Sequence, residues 1–184
     1  MATTEKYSRT AVTLHWLIAL LIGINVVLGL AADSCPESWI RPLIDFHKST
    51  GILVLGLALV RLGWRFGHKP PPMPVAYRVY ERKMACVVHW GLYALMFLLP
   101  LSGWIHDSAW ADAPSHPLKL YGIIPWFRFS FIADLDTGTR EYVHKTFGLI
   151  HTYLSYALYG AVFVHVTGAF KHRFVEKENQ RMRW

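Results

Sequence analysis

Two histidines near the C-terminus, His151 and His165, stand fourteen residues apart in a long apolar segment. At about 100° per residue this spacing is almost four helical turns, so both imidazoles leave the same face of a helix. At about 1.5 Å per residue they are separated by about 21 Å along the helix axis. Because the hydrocarbon core of a membrane is about 30 Å thick, such a helix carries one histidine toward each side. Two ligand-type side chains at two depths indicate a helix shared by two buried cofactors.

The composition favours a single membrane domain that covers residues 1–184. The chain is 53% hydrophobic and contains eight tryptophans, both high for a soluble domain of 184 residues. Its net charge of +7 could indicate nucleic-acid binding, but the basic residues are interleaved with apolar spans. Membrane topology explains them better, and no nucleic-acid partner is expected.

Four apolar segments are long enough to cross a membrane, at about residues 11–32, 43–60, 84–105 and 147–170. They predict an all-α membrane protein with a bundle of four transmembrane helices. The ends and the connection between spans two and three hold 13 of the 19 lysines and arginines, so both termini are expected on the cytoplasmic side. The aromatic-rich loop at 106–146 then faces the opposite compartment, where it suits a short helix or cap at the interface.

This topology sorts the histidines of the spans by depth. His15 opens span one at the depth of His165, and His47 opens span two at the depth of His151. Two imidazoles from two helices at one level suit axial ligation of a haem iron, because haem itself supplies four equatorial nitrogens. Zinc or copper would be short of ligands with two histidines. The sequence therefore predicts two haem-iron sites, with the pairs His15/His165 and His47/His151.

The alternative for each histidine is an interfacial or hydrogen-bonded role. A lone histidine at a helix end is more often interfacial than a ligand, but four that match by depth favour function. His89 has no evident partner at its depth and is expected to pack on haem or to form a hydrogen bond. His172 is a candidate for a quinone carbonyl, for proton transfer or for a simple interfacial role. The remaining histidines are expected to be solvated residues of loops and boundaries: His68, His106, His116 and His144.

Haem propionates need cationic or donor partners. Lys48 and Arg61 are candidates by depth, with ordinary anchoring by positive residues as the alternative for Arg61.

The whole chain resembles the bacterial cytochrome b-561 family of four-helix di-haem membrane proteins. The resemblance rests on five stretches: Lys6-Tyr7-Ser8-Arg9 with Leu14-His15-Trp16, Phe46-His47-Lys48-Ser49-Thr50-Gly51-Ile52, Val60-Arg61-Leu62, the run from His89 to Gly103 with its Pro100, and His165 to Phe174. It implies two b-type haems ligated by His15, His47, His151 and His165 in the bacterial inner membrane. It also implies electron exchange with ubiquinone or menaquinone. The family usually has paired histidines where this chain has His172-Arg173, so a role that needs the second histidine is not expected here.

Two functions follow as hypotheses. In the first, the protein carries electrons across the membrane, and one branch of the family resembles superoxide oxidases that pass an electron from periplasmic superoxide to ubiquinone. The net acidic character of the non-cytoplasmic side means that steering of superoxide would have to be local. In the second, it is a cytochrome b subunit that relays electrons between quinone and a periplasmic redox protein or a dehydrogenase. A four-helix membrane protein without haem is the simplest alternative.

Overall fold

Four long helices form the part of the molecule that the structure describes. The computed structural model describes residues 7–32, 34–68 and 78–171. In this part of the chain the long helices are α1 (Arg9–Ala32), α2 (Glu37–Gly67), α3 (Val79–Ser108) and α5 (Thr137–Phe170). All four are long and apolar enough to cross a membrane. The predicted bundle of four helices is confirmed.

The helices pack as two pairs that meet through α2 and α3. Helix α1 lies mainly against α2, and α3 lies mainly against α5. Large apolar side chains stay exposed on the outside of the bundle, with Leu20 at 62%, Val27 at 65% and Phe163 at 70% exposure. Because water would disfavour such a surface and lipid would not, the outward faces suit a hydrocarbon environment.

Three of the helices extend beyond the predicted spans by a turn or more. Helix α2 begins at Glu37 rather than at residue 43, α3 runs from Val79 to Ser108, and α5 begins at Thr137 rather than at residue 147. Polar residues in these added turns hid them from a hydropathy reading. Helix α3 also runs on without interruption past Pro100.

The connection between α3 and α5 is therefore shorter than the predicted loop at 106–146, and it is folded. It contains a 3₁₀ turn (Ala113–Ser115), the paired strands β1 (Lys119–Leu120) and β2 (Ile124–Pro125), and the short helix α4 (Ser130–Ala133). We call the end of the bundle that carries this connection the loop end, and the opposite end the terminal end.

The turn of the hairpin is anchored on α2. Tyr121 and Gly122 both have positive φ, at 50° and 73°, which a tight reversal of two strands requires. The Tyr121 N–H donates to Oγ of Ser49 at 2.9 Å, and its phenol donates to Oγ1 of Thr50 at 3.3 Å. Both hydroxyl residues are fully buried beneath it. These contacts fix the connection as a cap over the loop end, close to His47.

Candidate functional site

The structure brings the two histidines of each predicted pair close together. The ring centroids of His47 and His151 are 6.0 Å apart with ring planes at 78°, and those of His15 and His165 are 6.1 Å apart at 77°. A metal–nitrogen bond is about 2.0 Å long and a ring nitrogen lies about 1.1 Å from the ring centre, so two imidazoles on one iron have centroids about 6 Å apart. Each pair therefore has the spacing that axial ligation of one iron requires.

The imidazole of His47 is held against α1 by a hydrogen bond and a glycine. Its Nδ1 lies 2.9 Å from the carbonyl oxygen of Asn25. One turn further along α1, a Cβ at position 29 would come within 3.2 Å of the His47 ring. Gly29 is thus what allows the ring to approach the backbone so closely.

His151 is held against α3 in the same way. Its Nδ1 lies 3.0 Å from the carbonyl oxygen of Leu99 and 3.1 Å from Oγ of Ser102. A Cβ at position 103 would come within 3.1 Å of the ring. The two histidines of the loop end therefore share one arrangement: a backbone carbonyl accepts from Nδ1, and a glycine four residues later admits the ring.

These hydrogen bonds determine which ring nitrogen is left to bind a metal. A carbonyl oxygen only accepts, so Nδ1 of His47 and of His151 carries the proton and Nε2 keeps its lone pair. Donation of the other ring N–H to a backbone carbonyl is the usual support of a metal-bound histidine, and it raises the basicity of the ligand. The residues at the loop end thus fit the haem iron that the pairing predicted.

The terminal-end pair has a third histidine beside it. His89 on α3 lies 5.2 Å from His165, centroid to centroid, closer than His15 does. The expectation that His89 has no partner at its depth is wrong, because α3 packs along α5 and brings His89 beside His165. Its proximity to His165 agrees with a role in packing or hydrogen bonding near that pair.

The two predicted propionate partners already have contacts within the protein. Nζ of Lys48 lies 2.6 Å from Oδ1 of Asp107, a buried carboxylate that also binds Nε of Arg128 at 2.7 Å. Arg61, near the terminal end, donates from Nη1 to the carbonyl oxygen of Ala11 and from Nε to the phenol oxygen of Tyr93.

A cavity of about 740 Å³ opens between the two helix pairs at the loop end. His47, Lys48 and His151 line it, so three of the predicted site residues share one space. The side-chain oxygen of Asn25, also in its wall, is buried and accepts no hydrogen bond from the part of the chain that the structure describes. The volume of the cavity lies in the range of ligand-binding pockets.

Arg41 is a residue of this cavity that sequence reasoning missed. It bonds Asp45 at 3.1 Å and its guanidinium lies over the ring of Trp110, 4.6 Å from the centroid. Because Arg41 precedes the predicted second span by two residues, the sequence assigned it to a loop. The available signal was its i, i+4 spacing to Asp45 and i, i+7 spacing to Lys48, which places all three near one face of an extended helix.

The expectation that His106 and His144 are solvated loop residues is wrong. Both lie in helices and are half-buried, and their rings stack with centroids 3.9 Å apart and planes at 18°. The added turns of α3 and α5 explain this placement. His68 and His116 are exposed as expected. His172, the candidate for a quinone site, lies outside the described residues.

A family model described as prokaryotic cytochrome b561 matches residues 6–183. The chain belongs to this family. Its members are membrane electron-transfer proteins, and the family implies haem b.

Several curated proteins are similar to the chain over most of its length. Cytochrome b561 homolog 2 of Escherichia coli (strain K12) is 28% identical over 180 residues, which cover 96% of this chain and 89% of the relative. A probable superoxide oxidase CybB of Yersinia pestis is 25% identical over 186 residues, covering 97% and 95%. Cytochrome b562 of Cereibacter sphaeroides is 31% identical over 124 residues, covering 62% of this chain and 76% of the relative. The predicted family is thereby confirmed.

Proposed function

We propose that the protein carries electrons across the bacterial inner membrane through two haem b groups, each held by two histidines. His47 and His151 hold the haem of the loop end, and His15 and His165 hold the haem of the terminal end. The observation that carries this proposal is the matched spacing of the two ring pairs, 6.0 and 6.1 Å, on one shared helix. When bound, each haem supplies an iron that accepts and releases a single electron.

The residues around the loop-end pair support a firmly positioned haem. The carbonyl groups of Asn25 and Leu99 orient the two rings, and the glycines at 29 and 103 admit them. The family supplies haem b as the expected occupant. Pre-oriented ligands lower the cost of ordering the site when haem binds.

Cations beside each pair are the candidates to bind the propionates. Lys48 and Arg41 line the loop-end cavity, and Arg61 lies between α1 and α3 near the terminal end. Lys48 remains a proposed partner of a haem propionate, and Asp107 is its partner inside the protein. Arg41 is the more available donor, because its side chain is 38% exposed and its carboxylate partner Asp45 is 42% exposed.

Quinone is the proposed electron partner, either ubiquinone or menaquinone. With both termini in the cytoplasm, as the distribution of lysine and arginine indicates, the loop end faces the periplasm. Electrons then pass between a periplasmic reactant and the quinone pool, with His172 at the cytoplasmic boundary as the candidate for a quinone contact.

Superoxide is one candidate for the periplasmic reactant, since a relative that covers 97% of the chain is named a probable superoxide oxidase. The alternative is a cytochrome b subunit that relays electrons between quinone and a periplasmic or dehydrogenase partner protein. Two exposed apolar side chains on the folded connection, Ile123 at 80% and Phe131 at 67% exposure, support this alternative, because they could contact a partner protein.

Haem stoichiometry in single variants tests the ligand assignment. The purified protein should contain two b-type haems per chain, and His165→Ala and His151→Ala should each retain one. His68→Ala and His116→Ala are the matched controls and should retain two, because both side chains are exposed. A protein without a b-type absorption band after reduction by dithionite, or equal haem loss in all four variants, would contradict the proposal.

Rapid mixing with superoxide then separates the two functions. Reduction of the oxidised haems faster than the buffer control supports superoxide oxidation. No reduction by superoxide, together with reduction by quinol, supports the relay between quinone and a partner protein.

A further inference from the structure

The hairpin of the folded connection, residues 119–125, reaches far down the side of α2. Its turn is bonded to Ser49 and Thr50 through Tyr121. Ser49 is six residues past the predicted start of span two at residue 43, which is about 9 Å along the helix axis. The turn therefore lies deeper in the bundle than His47, one of the proposed haem ligands.

Helix α1 gives a second measure of this depth through Asn25. The carbonyl oxygen of Asn25 lies 2.9 Å from Nδ1 of His47, and its Nδ2 lies 3.7 Å from a Cβ built at position 51. Ser49 is midway between these two positions of α2, so it shares the level of Asn25. Asn25 is seven residues before the end of α1 at Ala32, about 10 Å along the axis. Both helices place the turn about 10 Å inside the loop-end limit of the apolar spans.

The stem of the hairpin lies at that limit. Nε1 of Trp104, one residue before the predicted end of span three, donates to the carbonyl oxygen of Phe127 at 2.9 Å. The Trp104 ring also contacts the rings of Trp126, Phe127 and Phe129, with centroids 4.7–5.8 Å apart. Clusters that contain tryptophan are typical of the membrane–water interface. The hairpin thus enters at the interface and points inward.

The side chains of the hairpin change character along this path. Ile123 and Ile124, directly after the turn, are 80% and 57% exposed. Lys119 is the only charged residue of the hairpin, and it pairs with Pro125 at the stem end of the ladder. From there a lysine side chain can extend toward the lipid headgroups. Exposed isoleucines at this depth match hydrocarbon rather than water.

The backbone of the turn meets the condition that hydrocarbon imposes on it. Non-helical backbone at membrane depth must have its polar groups satisfied within the protein. The Tyr121 N–H donates to Oγ of Ser49, and the Ile123 N–H donates to the carbonyl oxygen of Leu120 at 3.0 Å. The strand residues are paired with each other in the ladder. The turn can therefore lie in a membrane without leaving these donors unpaired.

We propose that the hairpin is a re-entrant element whose tip, Ile123 and Ile124, lies among the acyl chains of the lipid leaflet at the loop end. The tip continues the exposed apolar surface of the long helices, at the depth that α1 and α2 give. The proposal goes beyond the proposed function and does not depend on bound haem. With the tip in lipid, Phe131 is left to contact a partner protein and Ile123 is not.

Quenching of a fluorescent label by brominated lipid tests the depth of the tip. Ile123→Cys is made in a Cys35→Ser/Cys86→Ser background, labelled with bimane and placed in phosphatidylcholine vesicles with plain or mid-chain-brominated acyl chains. The ratio of the two intensities cancels any quenching by bound haem. The label should lose a large part of its fluorescence in brominated lipid, and aqueous iodide should have little effect on it.

Two matched sites bracket the result. Val27→Cys places the label on the outer face of α1, two residues from Asn25 and 65% exposed, where lipid contact is expected. Asp112→Cys places it on an exposed, charged position of the same connection, where water is expected. The label at position 123 should resemble the label at position 27 with both quenchers.

The proposal is overturned if the label at position 123 responds as the label at position 112 does, with weak quenching by brominated lipid and strong quenching by iodide. The tip would then lie in water, free for a partner protein. Thermal unfolding shows whether each labelled variant is folded, and Ile124→Cys is the second site if Ile123→Cys is not. Lipid quenching at the tip in a protein that binds no haem would contradict the proposed function and still support the re-entrant hairpin.

Discussion

The imidazole of His151 lies directly against Gly103. A Cβ at position 103 would come within 3.1 Å of Cε1 and 3.2 Å of Nδ1 of the ring, closer than ordinary van der Waals contact. Gly103 is also one turn beyond Leu99, whose carbonyl oxygen accepts from the same Nδ1. One short stretch of α3 therefore sets the orientation of the His151 ring and its close approach to α3 at the proposed loop-end haem.

Substitution of Gly103 by alanine should displace the His151 ring. The added methyl group must push the imidazole away from α3, and overpacking of this kind costs about 1–3 kcal/mol. We expect weaker retention of one of two haems, measured as haem per chain after dilution and by the low-spin signals in electron paramagnetic resonance. Gly91→Ala, on the same helix with nothing within 4 Å of the added Cβ, should behave as the parent protein does. Equal haem retention in both variants would remove Gly103 from the site.

Asp107→Asn should destabilise the loop end. The carboxylate is 6% exposed and bonds both Lys48 and Arg128, so its removal leaves two partly buried cations without their shared anion. Breaking a buried ion pair in this way costs about 3–5 kcal/mol. The measurement is the midpoint of thermal unfolding in detergent.

Asp112→Asn is the control for Asp107, because Asp112 is exposed in the same connection. Its unfolding midpoint should stay near that of the parent protein. If the unfolding midpoint of Asp107→Asn is no lower than that of the control, the ion pairs of Asp107 with Lys48 and Arg128 do not stabilise the fold.

His89→Ala should leave both haems bound. His89 stands 5.2 Å from His165, but the proposed ligand opposite His165 is His15 at 6.1 Å, the spacing that an iron requires. Loss of the neighbouring ring should alter the midpoint potential of the terminal-end haem alone, as measured by redox titration of the visible spectrum. Loss of one haem in His89→Ala, with two haems kept in His15→Ala, would exchange the roles of these two histidines.

The first turn of α5 should depend on pH through Asp136. Its side chain accepts from the Thr139 N–H at 3.0 Å, and hydrogen bonds from the side chain and the backbone of Thr139 lower the pKa of Asp136. A lowered pKa in the folded state means that the stabilisation is present above the unfolded pKa of about 3.9 and is lost as pH falls through the folded value.

Amide hydrogen exchange at Thr139 measures this effect. Protection should fall at acidic pH in the parent protein and should be low at neutral pH in Asp136→Ala. Asp134→Ala is the control, since Asp134 is exposed and ends α4 rather than beginning α5. The same protection at Thr139 in both variants at neutral pH would contradict the capping role.

Much of the architecture could be predicted because it depends on local properties of the chain. The length of an apolar run, the spacing of His151 and His165 and the distribution of lysine and arginine all act within a few turns of one segment. A regular helix converts residue number into depth, and for that reason histidines could be paired by level before any packing was known. Haem ligation itself stays a prediction until the haem content is measured.

The contacts that the sequence did not predict depend on how the helices rotate and approach one another. The stack of His106 on His144 needs α3 and α5 to extend past the apolar core and to meet in one register. The proximity of His89 to His165 and the place of Arg41 in the cavity wall depend on the same packing. Polar helix ends carry no hydropathy signal, so the sequence assigned His106, His144 and Arg41 to loops or boundaries.

By itself, the sequence predicted four membrane helices and the pairing of four histidines by level, because helical rise and hydrophobic length are local quantities. Only the tertiary structure decided which carbonyl orients each ring, which glycine admits it and which further side chains share the cavity. Hydrogen bonds and close contacts between helices act over a few ångströms, and that distance is fixed only when the helices are packed together.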